Sequence, residues 1–282
     1  MEKALLEKLD HLIAAVNCLA PSSPPAPNWQ ALAFRWRKHN HIGFLQAISH
    51  PHEIALTDLH HIAVQKEVVY RNTQQFVAGK PANNVLLTGA RGTGKSSLVK
   101  AAFHAFKNQG LRLIEIDKSD LTDLADIVDL LIDRPERFIV FCDDLSFTEG
   151  EVTYKALKTA LDGSISVTSA NVLIYATSNR RHLLPQYHHD NAETGMNDEI
   201  QPGEAIEEKT SLSERFGLWL TFYAFNQQQY LTTAQHWLQN LGYFIWNEEI
   251  EKAALQWALL RGSRNGRIAG QFARDWVGQQ VN

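Results

Sequence analysis

The eight residues Gly89-Ala-Arg-Gly-Thr-Gly-Lys-Ser96 constrain this chain more than any other stretch of it. They stand between an apolar, strand-like run (Val85, Leu86, Leu87) and a helical stretch that begins at Ser97. Two glycines, a lysine and a serine at this spacing make a Walker A pattern. The glycines let the loop wrap, so that backbone N–H groups and the positive end of the following helix point at an anion. The reading assigns Gly89, Ala90, Arg91, Gly92, Thr93, Gly94, Lys95, Ser96 and Ser97 to a nucleoside triphosphate. Lys95 would reach the β and γ phosphates, and Ser96 would ligate Mg²⁺. The alternative, a glycine-rich turn with no ligand, is disfavoured by the strand before it and the helix after it.

Phosphate binding alone does not establish hydrolysis, which also needs carboxylates for Mg²⁺ and water. Phe138-Ile-Val-Phe-Cys-Asp-Asp144 supplies them: an apolar run long enough for a buried strand, ending in two acids. Asp143 is assigned to Mg²⁺ through its hydration shell, and Asp144 to orienting or deprotonating the attacking water. Acids after a strand also cap helices, a reading that weakens beside a Walker A loop. Tyr175-Ala-Thr-Ser-Asn179 ends another strand with hydrogen-bonding side chains. Asn179 would hold the attacking water or read the γ-phosphate, although such residues at strand ends commonly make turns. Arg215, in Leu212-Ser-Glu-Arg-Phe-Gly217, would project to the edge of the domain and enter a neighbour's site. In Arg264-Asn-Gly-Arg267 a helix opens with a guanidinium placed where a closing lid would touch nucleotide.

The formal net charge of −4 gives no global footprint for nucleic acid, so any such contact must be local or arise from assembled subunits. Two cysteines, Cys18 and the strand-embedded Cys142, make a disulfide framework improbable and fit a reducing compartment, the cytoplasm. No apolar run approaches the ~20 residues that span a bilayer.

The chain reads as five segments. Residues 1–20 form an amphipathic helical arm, with Leu5, Leu6, Leu9, Leu12, Ile13 and Val16 on one face, and residues 21–28 a proline-rich linker. Residues 29–80 read as mostly helical, with Trp29, Leu32, Ala33 and Trp36 on one face and Arg35, Arg37 and Lys38 interleaved. That pattern fits either a buried stripe with solvated arginines or a grip on single-stranded nucleic acid, and the spacing favours the stripe. In residues 81–226 short apolar strands at Val85–Leu87, Leu111–Ile116, Phe138–Cys142, Val172–Tyr175 and Leu218–Phe222 alternate with helices, the pattern of an α/β fold with a parallel sheet covered on both faces. Residues 227–282 carry helical patterns only and read as a small lid. The acidic stretch 190–210 reads as a long loop, either solvated or ordered against a neighbouring subunit.

Taken together, the motifs resemble those of the AAA+ ATPases, in that family's order. The resemblance implies that Asn179 is a sensor-1 residue, Arg215 an arginine finger and Arg267 a sensor-2 residue, with Arg264 as an alternative for the last. Through PANNVLLTGARGTGKSSLVKA, FCDDLSF, YKALK, VLIYATSNRRHLLP and SLSERFGLWLTFY, over roughly residues 55–280, the chain more closely resembles a bacterial AAA+ family known only as a domain of unknown function. The family implies a five-stranded parallel sheet, a helical lid, ATP and Mg²⁺ between them, and a homo-oligomer with shared active sites. A full set of residues within one chain plus an arginine placed to act in trans points to an ATPase that remodels a macromolecular client, such as a nucleoprotein complex, with an ATP-gated adaptor of negligible hydrolysis as the alternative; no membrane is expected. The Asp-Asp pair, where many relatives carry Asp-Glu, and the Arg-Phe pair at the finger resemble the initiator and helicase-loader branch. Asp117-Lys-Ser-Asp120 stands where protein-threading relatives have an aromatic pore loop. In the same comparison Ile62 and Val64 fall where relatives line the adenine pocket. Histidine pairs at 39/41, 50/52, 60/61 and 188/189 lack the spacing of a metal site and read as structural or surface residues.

Overall fold

In a computed structural model the described residues are residue 8 and residues 25–40, 42–148, 151–162, 170–180, 183 and 212–280. The proposed N-terminal arm apart from residue 8, positions 21–24 of the linker, the acidic stretch 190–210 and the 188/189 histidine pair lie outside them.

Strands β1 (Ala33–His39) and β2 (Ile42–Ala47) precede helix α1 (Ala63–Val77). Then come β3 (Val85–Gly89), α2 (Lys95–Phe106), β4 (Leu111–Ile116), α3 (Leu124–Leu131), β5 (Arg137–Cys142), α4 (Val152–Asp162), β6 (Val172–Ser178) and β7 (Leu218–Phe222). Helices α5 (Gln227–Asn240), α6 (Glu248–Leu260) and α7 (Gly266–Gln280) follow. Among the described residues the sheet has seven strands, in the order β2-β1-β4-β5-β6-β3-β7. All neighbouring pairs are parallel except β1 with β2.

Alternation along the strands builds two cores. Val85 and Leu87 of β3 pack with Val69 and Phe76 of α1 and with Leu98, Phe103 and Phe106 of α2. Leu86 faces the other way, in a cluster with Ile127 and Leu131 of α3 and Leu157 of α4. Burial of each such side chain contributes roughly 1.5–3 kcal/mol. Polar anchors fix register at the edge where β3 and β6 begin. Buried Asn72 donates from Nδ2 to the Asn83 carbonyl (2.8 Å) and to the Tyr175 hydroxyl (3.0 Å), and Ile174 N–H donates to Asn84 Oδ1 (2.8 Å).

The mostly helical reading of residues 29–80 is corrected over its first part, and the sheet has seven strands where five were expected. Strands β1 and β2 pair antiparallel and extend the sheet past β4, with Ala33, Phe34 and Arg35 of β1 opposite Leu113, Ile114 and Glu115. Trp29, Leu32, Ala33 and Trp36 satisfy a helical period, but Phe34 and Trp36 against Arg35 and Arg37 satisfy a period of two equally well. The open edge of β4 selects the strand, because its N–H and C=O groups need partners. Phe34 and Trp36 enter the core, and Trp36 Nε1 donates to Asp123 Oδ2 at 2.8 Å. The interleaved cations pair with acids: Arg35 with Glu115 (2.7 Å), Arg37 with Asp117 (3.8 Å), and Lys38 with Asp123 (2.8 Å) and Asp120 (3.2 Å). The stripe is therefore core.

The last three helices close a separate cluster around Tyr230, Leu238, Ile250, Ala254 and Phe272. Each begins at an asparagine whose side chain accepts a backbone N–H: Asn226 from Gln229 (2.8 Å), Asn247 from Ile250 (3.0 Å) and Asn265 from Ile268 (3.0 Å).

Candidate nucleotide site at the carboxyl end of the sheet

Strands β5, β6 and β3 lie side by side and parallel, so the residues that follow each of them gather at one end of the sheet. A cleft of about 630 Å³ opens there between the sheet and helices α5 and α7. It is lined by Arg91 to Ser97, Asp143, Asp144, Thr177, Asn179 and Arg267, with Leu59, Ile62, Phe225 and Trp237 as apolar wall.

The loop after β3 depends on glycine at two places. Gly89 has φ +128°, and a Cβ there would stand 1.9 Å from the Phe222 carbonyl oxygen of β7. Gly92 has φ +75° and lies against Asn265, whose Oδ1 would be 2.5 Å from an added Cβ. Gly266 N–H donates to the Gly92 carbonyl at 2.9 Å, so the start of α7 docks on the glycine-rich loop itself.

Lys95, in the first turn of α2, is buried, and its ammonium donates to the carbonyls of Gly89 (2.8 Å) and Ala90 (2.7 Å) and to Asn179 Oδ1 (3.0 Å). Burial pushes its pKa down from 10.5 to about 8, against the opposing pull of Asp143 and Asp144. Ser96 Oγ donates to Asp143 Oδ1 at 2.6 Å, and Thr177 Oγ1 donates to the same oxygen. A hydroxyl and a carboxylate oxygen side by side fit a hard divalent cation, so Ser96 and Asp143 can hold Mg²⁺.

Asp144 adopts φ +56°, a left-handed conformation costly for a residue with a Cβ. Two bonds from β6 impose it: Asp144 N–H donates to Thr177 Oγ1 (3.0 Å) and Leu145 N–H to the Thr177 carbonyl (2.7 Å). The twist turns the carboxylate toward Asn179, whose Nδ2 donates to Asp144 Oδ1, with Arg91 Nη2 3.9 Å from Oδ2. A carboxylate and a carboxamide held together beside Lys95 can position a water for attack on a terminal phosphoryl group.

The structure thus brings together Arg91 to Ser97, Asp143, Asp144, Asn179 and Arg267. Gly89 and Ala90 sit behind the loop: their carbonyls accept from Lys95, and Ala90 N–H is engaged by the Phe222 carbonyl at 3.2 Å. Arg267 lines the cleft, whereas Arg264, the alternative lid arginine, is exposed and is not among the lining residues. Ile62 lines it too, but Val64 is 67% exposed and does not. Arg215 is remote. It precedes β7, whose first residue pairs with Val85 and whose last pairs with Gly89, so it stands roughly 13 Å or more along the strand from the phosphate loop. Its Nε donates to Asp162 at the end of α4. Three contributors escaped the sequence reading: Thr177, two residues before Asn179; Asn265, packed against Gly92; and Arg274, which lines the cleft two helical turns beyond Arg267.

Among solved structures the chain is similar to the replication initiator DnaA bound to AMPPCP and single-stranded DNA (18% identity over 75% of this chain, TM-score 0.49). It is also similar to AMPPCP-bound DnaA from Aquifex aeolicus (17% over 74%, TM-score 0.48) and to a point mutant of Thermotoga maritima RuvB (16% over 74%, TM-score 0.48). The match spans only 60%, 59% and 60% of those three chains. No curated protein matches the chain. A Walker A loop on a contiguous set of parallel strands, closed by a helical lid, is the architecture of an AAA+ P-loop NTPase. The family model described as protein of unknown function (DUF815) matches residues 29–280, reaching back through the β1–β2 hairpin that the motif resemblance had left out, and the chain belongs to that family.

Proposed function

We propose that this protein binds and hydrolyses ATP, and that it works as a homo-oligomer which remodels or loads a macromolecular client, such as a nucleoprotein complex. The observation that carries the reading is the Asp144–Asn179 pair held beside Lys95 at the mouth of the phosphate loop. Lys95 and the loop amides would bind the β and γ phosphates, Asp144 would take a proton from the attacking water, and Asn179 would orient that water. Mg²⁺, held by Ser96 and Asp143, would supply charge neutralisation on the phosphates. Arg267 would approach from the lid.

Arg215 supports the oligomeric part of the reading. It precedes β7, at the end of that strand away from its own cleft, so a catalytic role for it requires the site of a second copy. Among the described residues no helix is long and apolar enough to cross a membrane, and the reading places the protein in the cytoplasm. A second reading, an ATP-gated adaptor with negligible hydrolysis, draws on the internal Arg215–Asp162 contact, which holds the finger within its own chain.

Asp144→Asn separates the two. Phosphate release from ATP and Mg²⁺ should fall at least about a hundredfold, the scale on which removing a general base acts, while affinity for ATP stays within a few-fold. Wild-type protein with no measurable turnover, or a variant equal to wild type in every functional readout, would remove the catalytic reading.

A further inference from the structure

Three of the residues through which the sheet domain meets the lid are imidazoles, and the phosphate chemistry proposed above uses none of them. His60 and His61 lie in the segment before α1, just ahead of Ile62, while His236 lies on α5. The rings of His60 and His236 meet edge to face with centroids 4.1 Å apart. His61 Nε2 bonds Thr232 Oγ1 of α5 at 2.9 Å, and its ring packs against Phe225 at 5.6 Å. His61 has φ +60°, so the backbone is held in a strained conformation while both neighbouring rings meet the lid. His60 Nε2 is buried with no hydrogen-bond partner. His60 also lines the cleft, alongside Asp58, Ile62 and Trp237.

Resting on the nucleotide reading above, we propose that His60, His61 and His236 are positioning residues: a proton-sensitive joint that sets the lid over the nucleotide, docked while His60 and His61 are neutral and loosened when they charge.

The surroundings fix the direction. Burial pushes the His60 pKa below its ordinary 6.5, and the neighbouring His236, His61 and Lys66 push the same way, with Asp58 opposing. Burial also lowers His61, partly offset by a backbone bond to Gln229. Lys66 of α1 is fixed nearby by donating to the carbonyls of Leu56 and Leu59 (3.1 and 2.8 Å). Across the cleft α7 adds Arg267 and Arg274, and His52 lies on the sheet side. His236 Nε2 meets the Asn240 side-chain amide at 2.9 Å and stands 3.9 Å from Asp58 Oδ1. A proton on His60 would put a cation edge to face against the His236 ring, in a place where its buried Nε2 has no hydrogen-bond partner. A docked joint binds fewer protons than a loosened one, so docking weakens as pH falls through 6.5.

The test is calorimetric affinity for AMPPCP with Mg²⁺ at about pH 7.5 and about pH 5.5, on either side of the ordinary imidazole range, in wild type, His60→Asn and His236→Asn. Titration of the phosphates themselves is common to all three proteins and cancels in the comparison. Wild type should lose about tenfold more affinity on acidification than either variant, the loss expected when one imidazole, charged in the loosened joint, must give up its proton for the joint to dock. Equal losses in all three proteins would overturn the joint.

A second readout needs no ligand. In the nucleotide-free protein, NMR titration should show the His60 pKa rising toward its ordinary 6.5 in His236→Asn, with α5 amide resonances moving alongside the imidazole titration in wild type. Independent titration of the two histidines, or α5 resonances that stay fixed, would also overturn it. Absence of AMPPCP binding at either pH would instead sink the nucleotide reading, and the NMR titration would then decide the joint by itself.

Discussion

Lys95 offers a prediction whose size follows from its burial. The ammonium is withdrawn from water into a ring of carbonyl and carboxamide oxygens, and its pKa falls from 10.5 to about 8. That fall corresponds to roughly 3 kcal/mol against the charged form. A bound triphosphate brings negative charge to the same cleft and favours the ammonium, so the complex keeps its proton where the free protein gives it up. The free protein therefore binds fewer protons than the complex above about pH 8, and affinity must fall as pH rises through that value. At about pH 8 binding should take up about half a proton, and at about pH 9 affinity should be about tenfold weaker than at about pH 7. Calorimetry with AMPPCP and Mg²⁺, in two buffers of different ionisation enthalpy, counts the proton directly. Lys95→Arg carries a guanidinium that stays charged, so it should bind more weakly and show no uptake. Absence of uptake near pH 8 in wild type, or equal uptake in Lys95→Arg, would refute the reasoning.

Arg215→Ala should keep nucleotide affinity within a few-fold and lose about a thousandfold in turnover, the scale of a trans-acting arginine; steady-state phosphate release beside calorimetric affinity checks it, and full activity in a strictly monomeric protein would contradict the shared site. Gly89→Ala adds a Cβ 1.9 Å from the Phe222 carbonyl at φ +128°, so it should lower the thermal midpoint and abolish AMPPCP binding together. Phe34→Ala empties a buried site in the β1–β2 hairpin, and urea unfolding should register a loss of about 3–5 kcal/mol.

The strands from β3 onward were legible because each is a short apolar run bounded by polar residues, and buried parallel strands have no other way to look. The hairpin was not legible. Residues 29–36 carry a helical and an alternating period at once, and a segment this short cannot choose between them by its own pattern. The same limit applied within the site. The spacing of Gly89, Gly92, Lys95 and Ser96 marked the phosphate loop because the chemistry demands it within eight consecutive residues. Thr177 was hidden in a run of ordinary strand-end residues, since its role arises only where β6 lies beside β5 and its hydroxyl meets both Asp143 and the Asp144 amide.

Local sequence alone determined the phosphate loop, the acids that follow an apolar strand, and the helical character of the C-terminal segment. Each of these is written within a few residues and enforced by backbone conformation or burial period. Tertiary structure alone decided which lid arginine enters the cleft, that Arg215 stands at the far end of the sheet from its own loop, and that three histidines from distant parts of the chain meet between sheet and lid. Those facts depend on how strands are ordered and helices docked, and packing across many residues sets that order.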